Sequence, residues 1–285
     1  MSRTRMSTCY LNGEFIPLKD AKVSVMDRAF MFGDAVYEVI PVKHGKLFAA
    51  EEHIARLERS LSAIELKNPH RSPAWNTLLE QLLEANEKNQ RSIYIQVTRG
   101  AAERDHVFQT DVRPTVLIMA QTGPAYTDLT RVNAITSEDI RWIRCDIKST
   151  SLLANVLLRN HAKAANAYDA ILLREDAVTE GASTNVFVAN GGRVSTPPLS
   201  NLLLPGVTRG LLIEVLVEAG IFVEETKISH ADLKQADEIW LASSTRDLLS
   251  VALLDNHTVG KEGRYPLALE AYTHFQTYIA ERQAS

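Results

Sequence analysis

The residues that could do chemistry include a lysine in an apolar setting. Lys148 lies next to Ile147 and close to Cys145. An amine that is buried among apolar groups tends to lose its charge and can act as a nucleophile, whereas an exposed lysine is only a solvated charge. Both interpretations of Lys148 remain open from these residues alone.

Two further stretches could bind an anion. In segment 204–209, Gly206 and Thr208 lie at the start of a predicted helix, where unpaired N–H groups and the helix dipole favour a phosphate. The same residues can also simply cap that helix. Three consecutive hydroxyl residues, 243–245, follow a predicted strand. They could hydrogen-bond an anion or form an ordinary strand-to-helix turn.

The elements that must position these residues change character along the chain. Up to residue 120, alternating apolar residues predict strands, and apolar residues three and four apart predict helices. The predicted strands cover 10–16 (a hairpin around Asn12–Gly13), 36–48 (turning at His44–Gly45), 92–98 and 115–120. The predicted helices cover 53–66 and the residues after Pro73.

The second half mixes both kinds of element after a segment that is rich in Gly, Pro and Thr. The predicted helices cover 152–165, 208–219 and 267–279, and the predicted strands 170–173, 185–188, 221–226 and 238–242. At about 100–200 residues per domain, two domains are expected. We predict a smaller N-terminal α/β domain over 1–120, an interdomain linker over 121–127 and a larger C-terminal domain over 128–285.

The composition excludes several classes of partner. The chain of 285 residues has a net charge of -4, which does not favour nucleic acid. Short basic pairs such as Arg141 and Arg144 predict solvated surface or local ion pairs. The sequence has no apolar run of about 18 residues, so no membrane span is expected. Cys9 and Cys145 lack metal-ligand spacing, and 1–13 lacks an apolar leader; we predict free thiols, no bound metal and a cytoplasmic protein.

Six stretches together resemble the class IV aminotransferases, also called fold-type IV pyridoxal-phosphate enzymes, and within them above all the D-amino acid aminotransferases. The resemblance covers nearly the whole chain. The stretches are 27–39 (DRAFMFGDAVYEV), 53–57 (HIARL), 98–106 (with Thr98-Arg99-Gly100, Arg104 and His106), 144–149 (RCDIKS), 179–185 (TEGASTN) and 205–209 (PGVTR). The resemblance implies a two-domain α+β fold with the cofactor between the domains and bound mainly by the C-terminal one.

The resemblance gives three residues a role at the cofactor ring. It implies that Lys148 is the catalytic residue, which forms the internal aldimine with pyridoxal 5'-phosphate and then moves the substrate α-proton. Glu180 matches the carboxylate that pairs with the protonated ring nitrogen. Leu204 matches the apolar residue that lies against the ring; packing in the core would suit the same side chain.

Four more residues match the phosphate site of the family. They are Arg56, Val207, Thr208 and Ser244, of which Val207 and Thr208 would contribute a helix N-terminus and Ser244 a hydroxyl. Arg56 lies on the predicted helix over 53–66. The alternative for Arg56 is a surface ion pair with Glu52, four residues away.

The substrate carboxylate site determines the predicted specificity. By resemblance, Tyr37, Arg104 and His106 hold the α-carboxylate, and the last two reach the site on a loop from the neighbouring subunit, so a homodimer is required. The usual patterns of L-branched-chain aminotransferases and aminodeoxychorismate lyase lack this Arg-x-His pair.

The reaction that this resemblance implies is ping-pong transamination. A D-amino acid similar to D-alanine would give its amino group to 2-oxoglutarate or pyruvate through the Lys148 aldimine. The alternatives are an L-branched-chain aminotransferase, an (R)-amine transaminase, an aminodeoxychorismate lyase, and a protein that keeps the fold without the activity.

Overall fold

The structure is a computed structural model that describes residues 7–123, 128–260 and 264–284. It divides into two compact units. Unit 1 comprises Met1–Ala125 and Ile147–Ser151, and unit 2 comprises Tyr126–Asp146 and Leu152–Ser285. Residues 124–127 of the predicted linker lie outside the described residues, and Gln121 and Thr122 belong to a strand. The predicted domain boundaries at 120 and 128 stay a prediction.

Unit 1 combines one antiparallel sheet with three α-helices and one 3-10 helix (Leu18–Asp20) in its described residues. Its strands are β1 (Thr8–Leu11), β2 (Glu14–Pro17), β3 (Ala35–Lys43), β4 (Lys46–Leu47), β5 (Gln90–Thr98) and β6 (Thr115–Thr122). Its helices are α1 (Arg28–Phe32), α2 (Ala50–Ala63) and α3 (Ser72–Ala85). The strands lie in the order β2-β1-β6-β5-β3-β4. The predicted hairpins, strands and helices of this region are confirmed.

The first hairpin follows directly from its turn residues. Leu11 pairs with Glu14, so Asn12 and Gly13 form a two-residue loop. Their φ angles of 52° and 112° are in the positive region that Asn and Gly tolerate best.

The two long helices of unit 1 cover one face of the sheet. Ile54, Leu57 and Leu61 of α2 are buried in one cluster with Trp75 and Leu79 of α3. These positions are three or four residues apart, so the apolar stripe faces the sheet. This packing fixes β3, which carries Tyr37 and Glu38.

Helix α1 is anchored at both ends. The Asp27 carboxylate caps it by accepting from the Ala29 N–H at 2.9 Å, and it also accepts from the hydroxyls of Thr98 at 2.9 Å and Thr115 at 2.8 Å. Gly33 ends the helix in the left-handed region, at φ 67°. The chain therefore enters β3 from a fixed position.

Unit 2 is built on a larger mixed sheet. Its strands are β7 (Thr130–Glu138), β8 (Asp169–Arg174), β9 (Ala177–Gly181), β10 (Asn185–Asn190), β11 (Arg193–Thr196), β12 (Val223–Glu225), β13 (Glu238–Ser243), β14 (Asp247–Leu254) and β15 (His257–Thr258). Its helices are α4 (Leu153–Ala164), α5 (Val207–Glu218), α6 (His230–Lys234) and α7 (Pro266–Ala284). The order is β12-β11-β10-β13-β14-β7-β8-β9, with β15 beside β14. Neighbouring pairs β11–β12, β14–β7 and β7–β8 are parallel.

The predicted helices and strands of this region are confirmed, and the α+β class with them. Strands β7, β9, β11, β14 and β15 and the short helix α6 were not predicted. Strand β7 is half-buried and rich in Thr, Ser and Asn, and β9 has only five residues, so neither shows a clear apolar period. Of the three hydroxyl residues 243–245, Ser243 ends β13 and the other two lie in a turn into strand β14, so the alternative of a strand-to-helix turn does not hold.

The described ranges also bear on metals, thiols and membranes. None of their helices combines the length and apolar character that a membrane crossing needs. Both cysteines, Cys9 and Cys145, are buried free thiols. No group of three or more His, Cys, Asp or Glu side chains in these ranges could hold a metal ion.

Candidate active site

Lys148 lies in the short segment Ile147–Ser151. This segment is flanked in sequence by residues of unit 2 but belongs to unit 1. The Lys148 carbonyl accepts from the Tyr37 N–H at 2.9 Å, the Lys148 N–H donates to the Ser60 hydroxyl at 3.3 Å, and Ser149 forms an antiparallel bridge with Val36. Ile147 is buried in the core of unit 1. The backbone on both sides of the lysine is therefore fixed to β3 and α2.

The Lys148 side chain is half-buried and lies on an aromatic ring. Its Nζ is 4.2 Å from the ring centroid of Tyr37. Tyr37 in turn stacks on Tyr94, with 5.6 Å between ring centroids. Burial, with a smaller contribution from Tyr37, raises the pKa of Tyr94 to about 12, and its hydroxyl donates to Gln96 Oε1 at 2.7 Å. The surface under the amine is thus a pair of stacked tyrosine rings.

Next to Tyr37 on the strand, Glu38 forms a buried cluster with two residues of α2. Its carboxylate accepts from Arg56 Nε at 2.6 Å and Nη2 at 2.9 Å, and His53 Nδ1 is 2.8 Å away. All three side chains are at most 4% exposed. Burial alone would raise the pKa of Glu38, but the Arg56 guanidinium and His53 outweigh it and hold that pKa well below its usual range.

This cluster changes the interpretation of Arg56. The guanidinium is buried, whereas the alternative of a surface ion pair with Glu52 required an exposed arginine. Its bidentate partner is Glu38, a residue whose charge the sequence analysis did not use. Because Glu38 neutralises most of the arginine charge, attraction of Arg56 for a phosphate is weaker than that of an unpaired arginine.

The loop that carries Arg104 and His106 is held by α1. The Arg28 guanidinium donates to the carbonyls of Asp105 and His106, the latter at 3.3 Å. The Phe32 ring lies 5.4 Å from the Arg104 guanidinium carbon and 5.3 Å from the His106 ring. Arg104 and His106 are both exposed and lie close to the same aromatic ring.

In unit 2, Glu180 lies near the end of β9 with its carboxylate buried and hydrogen-bonded. Arg141 Nη1 donates to Oε1, while the Asn185 amide at 3.2 Å and the Leu204 N–H at 3.1 Å donate to Oε2. Burial raises the pKa of Glu180 to about 7, and Arg141 opposes that rise. A carboxylate offers about four acceptor positions. Among the described residues these donors use three, so one position remains on Oε1.

Leu204 and the start of α5 are joined to Glu180 through Asn185. The Asn185 amide also donates to the Leu204 carbonyl at 3.0 Å. Gly206 is the residue before α5 and gives no side-chain cap to its first N–H groups. A Cβ at Gly206 would come within 2.0 Å of Asn185 Oδ1, so only glycine permits this approach. Uncapped N–H groups of Val207 and Thr208 suit a phosphate.

The turn after Glu180 is organised by a carboxylate that the sequence analysis missed. Asp169 is fully buried and accepts from the Ser183 hydroxyl at 3.0 Å, the Thr184 hydroxyl at 2.9 Å and the Ser183 N–H at 3.2 Å. The motif over 179–185 is thereby fixed.

The remaining predicted residue, Ser244, lies half-buried in the turn between β13 and β14.

Arg141 and Arg144, which the sequence analysis grouped as a short basic pair, differ in burial and in their partners. Arg144 forms an exposed ion pair with Asp146 at 3.0 Å, as predicted. Arg141 also forms a local pair, with Asp139, but it is buried and extends to Glu180. Each arginine has its acid two residues away in sequence, so this spacing does not separate the two cases, and no sequence signal marked Arg141.

Comparison with known proteins gives a consistent result. The family model described as amino-transferase class IV matches residues 35–254. The chain is 36% identical over 275 residues to D-alanine aminotransferase from Bacillus licheniformis, covering 96% of this chain and 97% of the relative. It is 39% identical over 282 residues to D-alanine aminotransferase from Staphylococcus haemolyticus, covering 98% and 100%.

Solved structures show the same similarity at the level of the fold. The chain superimposes on branched-chain amino acid aminotransferase from Escherichia coli with a TM-score of 0.88 and 25% sequence identity, covering 96% of this chain and 95% of that one. It also resembles a fold IV transaminase from Curtobacterium pusillum, with a TM-score of 0.79 and coverage of 94% and 92% at 23% identity.

Proposed function

The chain belongs to the class IV aminotransferases, since that family model spans residues 35–254, and we propose that it transfers an amino group between a D-amino acid and a 2-oxo acid. The donor resembles D-alanine, the acceptor is 2-oxoglutarate or pyruvate, and the cofactor is pyridoxal 5'-phosphate. The two half-reactions follow one another in ping-pong order.

The observation that carries this proposal is the fixed position of Lys148 on Tyr37. Main-chain hydrogen bonds hold the lysine segment against β3, and its Nζ lies 4.2 Å from the ring centroid of Tyr37. An amine that is half-buried on an aromatic ring suits a covalent tether and a proton carrier better than a solvated surface charge.

The side chains of unit 2 fit the cofactor. Glu180 keeps one acceptor position on Oε1 among the described residues, and the N-terminus of α5 has N–H groups without a side-chain cap. When bound, pyridoxal phosphate supplies an electron-withdrawing ring that makes the α-proton of an attached amino acid removable. Leu204, whose backbone is fixed by Glu180 and Asn185, contributes the apolar surface for that ring.

The proton chemistry falls to two residues. Lys148 removes the α-proton with its Nζ and returns a proton to the product, so it acts first as a base and then as an acid. Glu180 accepts the hydrogen bond of the ring nitrogen and holds a proton at that atom. Burial and the neighbouring Arg141 act in opposite directions on the charge state of Glu180.

The N–H groups of Val207 and Thr208 and the hydroxyl of Ser244 would hold the cofactor phosphate. The two N–H groups are fixed donors at a helix N-terminus and the hydroxyl is a neutral donor, so together they would bind a dianion without a net charge on the side chains. Arg56 adds a guanidinium whose charge Glu38 already balances. Arg56 is therefore the weaker electrostatic part of this phosphate site.

The substrate carboxylate is held by Tyr37, Arg104 and His106, with the last two supplied by the neighbouring subunit of a homodimer. Exposed apolar side chains near this loop support a dimer, because Val25, Phe30 and Val107 are 71%, 77% and 70% exposed. A second copy of the chain would bury them.

Two observations support the D-amino acid assignment over an L-branched-chain, (R)-amine or aminodeoxychorismate activity. The D-alanine aminotransferases are 36% and 39% identical to this chain, against 25% for the branched-chain enzyme structure. Arg104 and His106 are also present at one loop.

The free thiols of Cys9 and Cys145 suit a reducing compartment, so we assign the protein to the cytoplasm.

Half-reactions with single enantiomers test the proposal. The purified holoenzyme is mixed with D-alanine or with L-leucine in the absence of an oxo acid, and the loss of the cofactor absorbance band is recorded. We expect D-alanine to bleach the band and L-leucine to leave it. Bleaching by L-leucine alone would overturn the D-amino acid assignment while leaving the transaminase class intact.

A further inference from the structure

Arg141 is placed between two buried carboxylates of unit 2. Its Nε and Nη2 donate to Asp139 at 2.9 and 3.0 Å, and its Nη1 donates to Glu180 Oε1. Nη2 also donates to the Leu202 carbonyl at 3.1 Å. One edge of the guanidinium, with Nε and Nη2, thus binds Asp139, and the remaining nitrogen, Nη1, binds Glu180.

The anchor behind Arg141 is itself fixed. The Asp139 side chain is fully buried and accepts from the Thr179 hydroxyl at 3.0 Å and from the Arg141 N–H at 3.1 Å. Arg174 lies 3.4 Å from the same carboxylate but makes its other contacts with the carbonyls of Asp139 and Arg141. Arg141 has little freedom to turn away from Glu180.

The charge of Glu180 depends on this arrangement. Burial by itself favours the neutral acid, and the neighbouring guanidinium favours the anion. A neutral Glu180 would keep the proton itself and donate it as a hydrogen bond to an unprotonated ring nitrogen, whereas the anion would accept a hydrogen bond from the protonated ring nitrogen. The Asn185 amide and the Leu204 N–H bind the other oxygen as neutral donors.

We propose that Arg141 is a positioning residue that holds the Glu180 carboxylate in place and ionised for the ring nitrogen of pyridoxal phosphate; this inference rests on the proposed function. Asp139 is the anchor that orients Arg141. Neither residue touches the reacting atoms.

The test compares holoenzyme variants loaded with pyridoxal phosphate that carries nitrogen-15 in its ring. Nitrogen-15 NMR reports whether the ring nitrogen holds its proton, and the cofactor dissociation constant is measured in parallel. The variants are Arg141→Gln, Arg141→Lys, Glu180→Gln as the reference for a lost anion, and Arg174→Gln as the matched control.

We expect Arg141→Gln to move the nitrogen-15 signal from the wild-type position toward that of Glu180→Gln and to weaken cofactor binding about 10- to 100-fold, as loss of a hydrogen bond to a charged group does. Arg141→Lys should lie between, because a single ammonium cannot serve Asp139 and Glu180 together. Arg174→Gln removes a cation from Asp139 without a contact to Glu180, so its signal should match the wild type.

Two results would overturn the inference while the proposed function stands. One is a wild-type signal and affinity in Arg141→Gln or Arg141→Lys. The other is an equal change in Arg174→Gln, which would make the effect a general loss of the Asp139 ion pairs. A wild-type protein that binds no pyridoxal phosphate, or an unchanged signal in Glu180→Gln, would remove the assigned cofactor site and this inference with it.

Discussion

Tyr37 and Lys148 are joined through both backbone and side chain. The Tyr37 N–H donates to the Lys148 carbonyl at 2.9 Å, and the Lys148 Nζ lies 4.2 Å from the Tyr37 ring centroid. The same tyrosine is a proposed ligand of the substrate carboxylate. Its ring and its hydroxyl therefore have separable tasks, and a substitution can remove one without the other.

Tyr37→Phe should keep the ring that supports Lys148 and lose the hydroxyl. We expect the KM for D-alanine to rise about tenfold or more, because a hydrogen bond to a charged carboxylate contributes about 1.5–3 kcal/mol. The kcat should change far less. Steady-state kinetics with D-alanine and 2-oxoglutarate measure both constants.

The matched control is Tyr94→Phe, the same change in the ring that stacks on Tyr37. The Tyr94 hydroxyl donates to Gln96, so its loss should leave the KM near the wild-type value. Equal effects of the two variants would count against a substrate role for the Tyr37 hydroxyl.

Glu38 should control stability in acid. The pKa of Glu38 in the folded protein lies below its ordinary value of 4.5. The stability that Glu38 contributes is therefore present above pH 4.5 and is lost as the pH falls from there toward the folded-state pKa. Glu38→Gln leaves Arg56 buried without its counter-charge, which costs about 3–5 kcal/mol at neutral pH. Its stability should also fall less steeply in acid. Denaturant unfolding of the holoenzyme from neutral pH to about pH 3 measures both effects, because the loss occurs below pH 4.5.

Asp146→Asn is the control for Glu38→Gln. Asp146 belongs to the exposed pair with Arg144, where water screens the charges, so stability should hardly change. A Glu38→Gln protein with wild-type stability would contradict the buried cluster.

Gly206→Ala should disturb the start of α5. The new Cβ would meet Asn185 Oδ1, which forces Asn185 away from Glu180 and Leu204. We expect weaker cofactor binding, measured by equilibrium dialysis of pyridoxal 5'-phosphate against the protein. Gly210→Ala lies in the same helix with nothing within 4 Å of its Cβ, so it should bind cofactor normally and gain up to about 1 kcal/mol in stability. Equal affinities in both variants would refute the role of this approach.

The shared substrate site can be tested by mixing inactive variants. Lys148→Ala lacks the amine, and an Arg104→Ala/His106→Ala double variant lacks the loop ligands. If the loop acts on the neighbouring subunit, each mixed dimer has one complete site, and an equal mixture should recover about a quarter of wild-type activity. No recovery after confirmed subunit exchange would show that each chain serves its own site.

The sequence predicted most of the elements because their apolar residues recur at the helix or strand period. The stripe of Ile54, Leu57 and Leu61 is one case, since these positions must face a core whatever the partner. Strand β9 escaped prediction because its short run, Ala177–Gly181, has a charged residue among buried neighbours.

The predicted site residues came from motif resemblance, whereas their supporting partners did not. Asp139 binds Thr179, Arg141 binds Glu180, and Asp169 binds the turn after it, across separations of up to 40 positions, which no local pattern records. Glu38 lies within a matched motif, yet only the structure shows that its carboxylate pairs with Arg56.

The most direct measurement locates the cofactor on the chain. The holoenzyme is treated with borohydride, digested, and mapped by mass spectrometry for a peptide that carries the pyridoxyl phosphate group. The label should be on Lys148 and should disappear in Lys148→Ala, while Lys163→Ala, an exposed lysine of α4, should leave it unchanged. Labelling of a different lysine, or of none, would contradict the account.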